Sequence, residues 1–256
     1  MKQPNIDYLV DINLNGSSGK EKASGEKALR LKEIGGKVRV FSIKNTKAKS
    51  ISRFCSMFWL ECKFLLKGIF AKYKPDVVFT RSTLAFGTWA YGKFYSVPVI
   101  REVHSDFWDE IKILYKGRRY YLSLFYLIHK YNLFFLKRSN GIIFNNIRLQ
   151  QHFVDTYNIP AKITTTIPNG CDTQRFYPID IKTARKKLSL DYNTKYLLFI
   201  GSVSRWHGVE YLLKAQQLIN QERKDVVLLV VGGHDLSEAE ELKLKYDSIC
   251  YYLFLC

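Results

Sequence analysis

ITTTIPNGCDTQRFYP, residues 163–178, is the stretch on which the division of the chain turns. Its first half alternates Thr and Ile, the period of a strand, and ends at Pro168. Asn169-Gly170 follows, a pair that tolerates φ > 0 and suits a tight turn. Asp172, Phe176 and Pro178 come next at short spacing. Asn-Gly alone would read as an ordinary hairpin turn, but no alternating polar and apolar strand returns after it. The stretch therefore reads as strand, turn and linker between two domains, 1–178 and 179–256.

Both flanks support that division. Upstream, DYLVDI (Asp7–Ile12) reads as a strand, followed by the loop NLNGSSGK and a helix from about Glu21 to Ile34. Gly35-Gly36 ends that helix and KVRVFSI (Lys37–Ile43) is the next strand. Ile51–Tyr73 reads as a basic, aromatic helix, DVVFTRS (Asp76–Ser82) as a third strand and Leu84–Tyr95 as a short helix. The first half of VPVIREVHSDF (Val97–Phe107) is a fourth strand, and Trp108 to about Lys137 is one long helical region. GIIFNN (Gly141–Asn146) and a helix over Ile147–Tyr157 complete the first domain. Downstream, KYLLFIG (Lys195–Gly201), a helix over Val209–Asn220, VVLLVVGG (Val226–Gly233), a helix over Ser237–Tyr246 and CYYLFLC (Cys250–Cys256) repeat the alternation. Strands alternating with helices imply an α/β fold with parallel sheets in two Rossmann-like domains, the second shorter than a usual domain.

Composition narrows the function classes. Apolar residues make up 47% of the 256 and aromatics 15%, so a sizeable core can be buried. The formal charge of +17 points to a nucleic acid, an anionic membrane surface or a phosphorylated small molecule, although base bias in the coding DNA could supply part of the excess. Five cysteines without a C-x-x-C pair argue against a disulfide framework or zinc site and for a reducing compartment. The N-terminus lacks the apolar core of a signal peptide, and no run reaches the ~18 apolar residues of a membrane span. The expected location is cytoplasmic, with peripheral contact to the inner face of the membrane.

Chemistry-bearing residues gather at strand ends. GSVSRWHG (Gly201–Gly208) follows a strand and precedes a helix, which brings backbone N–H groups and a positive helix end together, as phosphate binding requires. A plain helix-start loop would look the same. His104 lies just past the fourth strand, where parallel sheets bind ligands, although a lone His is more often structural. Alternation lets one of Glu102 and Asp106, but not both, point inward with ease. Asn145-Asn146 can contact an acceptor or cap the following helix. Gly232-Gly233 make a strand-to-helix turn. His129, His152 and His234 lack metal-ligand spacing, so no metal site is assigned.

These segments, in this order, resemble the retaining glycosyltransferases of the GT-B fold, family-4 type. The string at 163–178 resembles that family's I-P-N-G-V-D-x-x-x-F-x-P segment, and GSVSRWHG resembles its G-R-L-x-x-x-K-G. The resemblance implies a GT-B-like fold whose second domain is incomplete, and transfer of a sugar from a nucleotide diphosphate sugar with retention of configuration. It further implies a catalytic role for His104, donor or acceptor contacts from Gly16, Ser17, Asn169 and Gly170, and donor contacts from Ser202, Arg205, His207 and Gly232. Ser202 and His207 stand where the family carries Arg and Lys, and Arg205 is the nearby guanidinium. No cofactor is implied beyond the nucleotide sugar as co-substrate. The family's Glu-x7-Glu segment, whose carboxylates orient the donor, is missing from these residues. The resemblance thus implies a truncated enzyme, half of a split one, or a catalytically inactive membrane-associated binding module.

No acidic residue occurs between Glu110 and Asp155. Lys112, Lys116, Arg118, Arg119, Lys130, Lys137 and Arg138 are interleaved there with Tyr and Phe. The pattern suits an anionic membrane interface, a single-stranded nucleic acid, or a core helix with solvated charges. No nucleic-acid motif accompanies it. Lipid-linked acceptors, common in the family that the chain resembles, favour the membrane; a glycan is the other acceptor expected.

Overall fold

A computed structural model of the chain describes residues 3–15, 19–43, 50–71, 74–201, 207–232 and 250–253. Two compact units emerge, Met1–Gly170 and Cys171–Cys256.

The first unit is a parallel six-stranded sheet covered by helices. Its elements run β1 (Ile6–Val10), α1 (Gly19–Ile34), β2 (Val38–Ser42), α2 (Ser50–Ile69), β3 (Val77–Arg81), α3 (Phe86–Tyr95), β4 (Val99–Val103), α4 (Phe107–Leu114), α5 (Arg119–Leu136), β5 (Gly141–Phe144), α6 (Ile147–Tyr157) and β6 (Thr164–Thr166). The strand order is β2-β1-β3-β4-β5-β6, and every pairing is parallel. The order reverses between β1 and β3, which makes the carboxyl ends of β1, β3 and β4 the place for a ligand.

Strand alternation sorts the core onto two faces. Tyr8, Val10 and Ile12 pack with Ala28 of α1 on one face. Leu9, Phe41, Val78 and Val99 pack with Leu60 and Phe64 of α2 and Tyr91 of α3 on the other. That second face continues over β5, where Ile142 and Phe144 meet Leu133 and Leu136 of α5 and Phe153 of α6. Burial of a large side chain such as Phe64 or Phe144 contributes roughly 1.5–3 kcal/mol.

The long helical region expected from Trp108 to Lys137 is two helices. Gly117 adopts φ +83° between them, a left-handed conformation that an α-helix cannot pass through. Asp106 caps α4 by accepting from Trp108 N at 2.8 Å, and Asn146 caps α6 by accepting from Leu149 N at 2.8 Å. The turn expected at Asn169-Gly170 also lies elsewhere. Gly170 is not at positive φ, and the chain bends instead at Asp172, whose Oδ1 accepts from Gln174 N and Arg175 N while its carbonyl accepts from Phe176 N. An Asx turn has replaced the Asn-Gly turn.

The second unit comprises α7 (Ile181–Lys187), β7 (Lys195–Ile200), α8 (Val209–Glu222), β8 (Val226–Val231) and β9 (Cys250–Leu253). Its sheet, β7-β8-β9, is again parallel. Val209 and Leu213 of α8 are buried, as are Leu228, Leu229 and Val230 of β8. Gln216, also buried, donates from Nε2 to Val226 O at 2.8 Å. The helix expected at Ser237–Tyr246 lies outside the described residues.

Candidate functional site

His104 sits one residue beyond β4, at the carboxyl edge of the first sheet, with its side chain 16% exposed. Two residues back on the same face, Glu102 brings Oε1 to 2.7 Å from His104 Nε2. That is an ion-pair distance, but the pair does not meet hydrogen-bond geometry, and Nε2 is sealed from solvent without another partner among the described residues. Lys27 of α1 also pairs with Glu102 Oε1, while Glu102 Oε2 has no hydrogen-bond partner among the described residues. Burial pushes the Glu102 carboxyl up, but the His104 imidazole and the Lys27 ammonium outweigh it and hold the carboxyl at about 2.

The surroundings of this pair are polar and buried. Ser24 of α1 accepts from Arg81 at 3.3 Å, and Asp11 accepts from Thr83 N and Thr83 Oγ1, both at 2.9 Å. The Tyr8 hydroxyl is buried and has no partner in hydrogen-bond geometry among the described residues; burial, then the Glu102 charge, push its pKa up. Asn145 donates from Nδ2 to His104 O at 3.3 Å and ties the end of β5 to that of β4.

Of the two acids beside His104, only Glu102 joins it. Asp106 turns away to accept from Tyr157 Oη at 2.5 Å and lies 2.8 Å from His152 Nε2. Asp106, Asp109 and His152 bring ligand atoms within 4.8 Å of one another. Yet the Asp106 carboxylate is already engaged by a backbone N–H, a phenol and an imidazole, which describes a hydrogen-bonded cap rather than an open metal centre. Sequence reasoning missed the His152 contact because 46 positions separate the two residues.

In the second unit, Gly208 at φ +68° is the N-cap of α8, and as a glycine it brings no capping side chain of its own. His207 precedes it, exposed, with its ring centroid 6.4 Å from that of Phe199. Gly232 lies just past β8 at φ +120°, and a Cβ there would stand 2.4 Å from Gly201 O. Gly201 N donates to Val231 O at 3.0 Å, so the ends of β7 and β8 meet backbone to backbone. Gly232→Ala is accordingly expected to destabilise this unit by about 2 kcal/mol or more. Faster hydrogen exchange at the β7 and β8 amides would register it; unchanged protection would contradict the close approach. Asn169 and Gly170 are exposed. Gly16, Ser17, Ser202 and Arg205 lie outside the described residues.

Two successive parallel α/β units, with polar side chains at the carboxyl edge of the first sheet and a glycine-lined edge on the second, place the chain in the GT-B class. The fold comparisons agree. Sucrose-phosphate synthase from Thermosynechococcus elongatus aligns with a TM-score of 0.72 at 17% identity, over 98% of this chain and 71% of that one. Anabaena Alr3699/HepE in complex with UDP-glucose aligns at 0.64 and 17% identity, over 99% and 69%. The chain belongs to Glycosyltransferase Family 4, whose model matches residues 26–175, and the model for glycosyl transferases group 1 matches residues 180–249. Among curated relatives, D-inositol 3-phosphate glycosyltransferase of Pseudarthrobacter chlorophenolicus is 35% identical over 78 residues, 30% of this chain and 19% of that protein. The enzyme of the same description from Corynebacterium jeikeium is 24% identical over 107 residues, 40% of this chain and 26% of the relative. The matched stretches thus span about a quarter or less of these relatives' length.

Proposed function

We propose that this chain serves a glycosyltransferase reaction in which a sugar passes from a nucleotide diphosphate sugar to a glycan or lipid-linked acceptor with retention of configuration. The observation that carries this reading is the ordered match of two glycosyltransferase family models to the two α/β units. UDP-glucose in the Anabaena neighbour supports a nucleotide-sugar donor. His104, held by Glu102, is the side chain proposed to contact the reacting sugar, with Gly16 and Ser17, which lie in sequence between β1 and α1. Asn169 and Gly170 carry the same proposal on the linker. Ser202, Arg205, His207 and Gly232 are proposed to receive the nucleotide diphosphate. N–H groups and cations there would stabilise the charge of the departing diphosphate. The leaving phosphate would take the acceptor's proton on the face from which it departs. The acceptor is proposed to be met at the inner face of a membrane, since the interleaved bases and aromatics of 112–138 suit an anionic lipid surface.

A second reading is a binding module that holds the nucleotide sugar or the membrane without transfer. Release of nucleotide diphosphate from a panel of nucleotide sugars separates the two: release lost in His104→Ala supports the enzyme, and donor binding without release supports the module.

Donor binding itself is testable by thermal unfolding. UDP or GDP at a hundredfold excess over its Kd stabilises by about 2.7 kcal/mol, which corresponds to roughly 5–10 °C in Tm. Arg205→Ala with His207→Ala should remove that shift. No shift with either nucleotide at millimolar concentration would remove the donor-site reading.

A further inference from the structure

Between Lys112 and Ile128 no residue is buried, although much of the stretch is apolar. The end of α4, the turn at Gly117 and the first half of α5 form an arm whose rings pack on one another. Tyr115 stacks on Tyr121 and meets Phe125, Phe107 meets Phe125, and Trp108 meets Tyr126. The buried residues of α5 begin only at His129, followed by Leu133, Phe135 and Leu136. Outward, Ile113, Leu114, Tyr120, Tyr121, Leu124 and Leu127 are 45–79% exposed. Trp108, Leu122, Tyr126 and Leu127 line an open groove of about 420 Å³. Contiguous apolar surface of this kind marks an interaction site rather than ordinary solvent-facing helix.

Charge decides what the arm meets. Lys116, Arg118 and Arg119 sit at the turn, Lys130 lies farther along α5, and no acid occurs from residue 111 to residue 154. A second copy of the chain docked through the same patch would set these cations against each other. An anionic bilayer supplies the opposite charge, and rings with apolar bodies and polar tips suit its headgroup layer. No helix among the described residues is long and apolar enough to cross a membrane, so the arm would lie in the interface plane.

We propose that the α4–α5 arm is the surface by which this chain docks on an anionic membrane, with Ile113, Leu114, Tyr120, Leu124 and Leu127 inserted and Lys116, Arg118, Arg119 and Lys130 at the headgroups. The proposal rests on the reading above only for the reason that a bilayer is approached, a lipid-linked acceptor. It goes beyond that reading in naming the side chains that insert and the cations that meet the headgroups.

The test is co-sedimentation of the whole chain with vesicles of phosphatidylcholine alone or of equimolar phosphatidylcholine and phosphatidylglycerol. Binding is expected to the anionic vesicles and to fall as salt is raised. Arg118→Gln, Arg119→Gln and Lys130→Gln together should weaken it about 100-fold, at roughly 5-fold per charge. Leu124→Ser with Leu127→Ser should weaken it at unchanged charge. A control triple of Lys182→Gln, Lys186→Gln and Lys187→Gln on exposed positions of α7 should change it little. Circular dichroism confirms the fold of each variant. The proposal is overturned if anionic vesicles do not sediment the chain, or if the α7 triple costs as much as the α5 triple. It is also overturned if Leu124→Ser with Leu127→Ser abolishes self-association and spares vesicle binding, or if a single-stranded oligonucleotide binds as tightly as the anionic vesicles and shows the same losses. The thermal shift with UDP or GDP is recorded in parallel. Vesicle binding without a nucleotide shift would sink the donor reading and leave the docking surface standing, and the converse pattern would do the reverse.

Discussion

Glu61→Leu is expected to cost the first unit about 3–5 kcal/mol. Glu61 projects from α2 into the core, fully buried, and accepts from Ser82 Oγ at 2.5 Å, Ala85 N at 3.1 Å and Thr88 N at 3.0 Å. It thereby supplies the N-terminal cap that α3 lacks in its own sequence, since Ala85 cannot provide one. Arg101 of β4, also buried, is the neighbouring opposite charge and donates to Ser82 O at 2.7 Å and Asn132 Oδ1 at 2.9 Å. Burial pushes the Glu61 carboxyl up. Burial likewise pulls the Arg101 guanidinium down to about 10, against the attraction of Glu61 and Asp11. Leucine at 61 would strand two N–H groups, a hydroxyl and a cation in the core at once. Glu61→Leu with Arg101→Leu should therefore cost less than the sum of the two single variants, because neither charge is left alone. Urea denaturation followed by the fluorescence of Trp59, Trp89 and Trp108 measures each cost. Strict additivity would show that the two charges do not act as one network.

Acid should weaken the same unit through Glu102. Its carboxyl is held at about 2 in the folded chain, against a reference value of 4.5. A depressed carboxyl contributes stability that is present above the unfolded value and lost as pH falls through the folded one. The window runs from about pH 4.5 down to about 2, and the shift corresponds to about 3 kcal/mol. Asp106 acts in the same sense: burial opposes, but hydrogen bonds from Tyr157, His152 and the Trp108 amide lower its carboxyl. Asp7 acts in the opposite sense, because burial outweighs its bonds to Arg39 and raises it. Urea midpoints taken from pH 7 to pH 3 should fall steeply for the parent and much less for Glu102→Gln. An unchanged slope in the variant would place the acid lability elsewhere.

The strand-and-helix alternation was legible because parallel sheets buried on both faces leave unbroken apolar runs such as VVFT and GIIF. His104 was legible for a related reason, as a polar residue just past such a run. Its partner was half legible: the two-residue spacing of E-V-H puts Glu102 and His104 on one face of the strand, whereas nothing local says that Lys27 completes the pair. The Gly117 break was hidden because apolar residues continue at helical spacing on both sides of Lys116–Arg119. The network of Glu61 in α2, Ser82 just past β3 and Arg101 in β4 leaves a single local trace, the lone acid of α2. The roles proposed for Asn169 and Gly170 rest on resemblance, since among the described residues neither is drawn into a hydrogen-bonded site.

The pairing of β1 has a consequence for synthesis. Ile6 pairs with Val38 on one side and with Val77 on the other. Among the described residues this sheet has no hairpin to nucleate it; each pairing closes a loop through at least one helix, and such long-range closures are slow. Translation at ~5–20 residues per second separates the emergence of Ile6 from that of Val77 by roughly 4–14 s. Through that interval the nascent chain carries IDYLV, a strand with at least one edge unclaimed and apolar side chains uncovered. The rate of elongation between codons 6 and 81 is therefore coupled to how much of the chain escapes aggregation on the ribosome, and codon choice in that segment becomes a lever on yield.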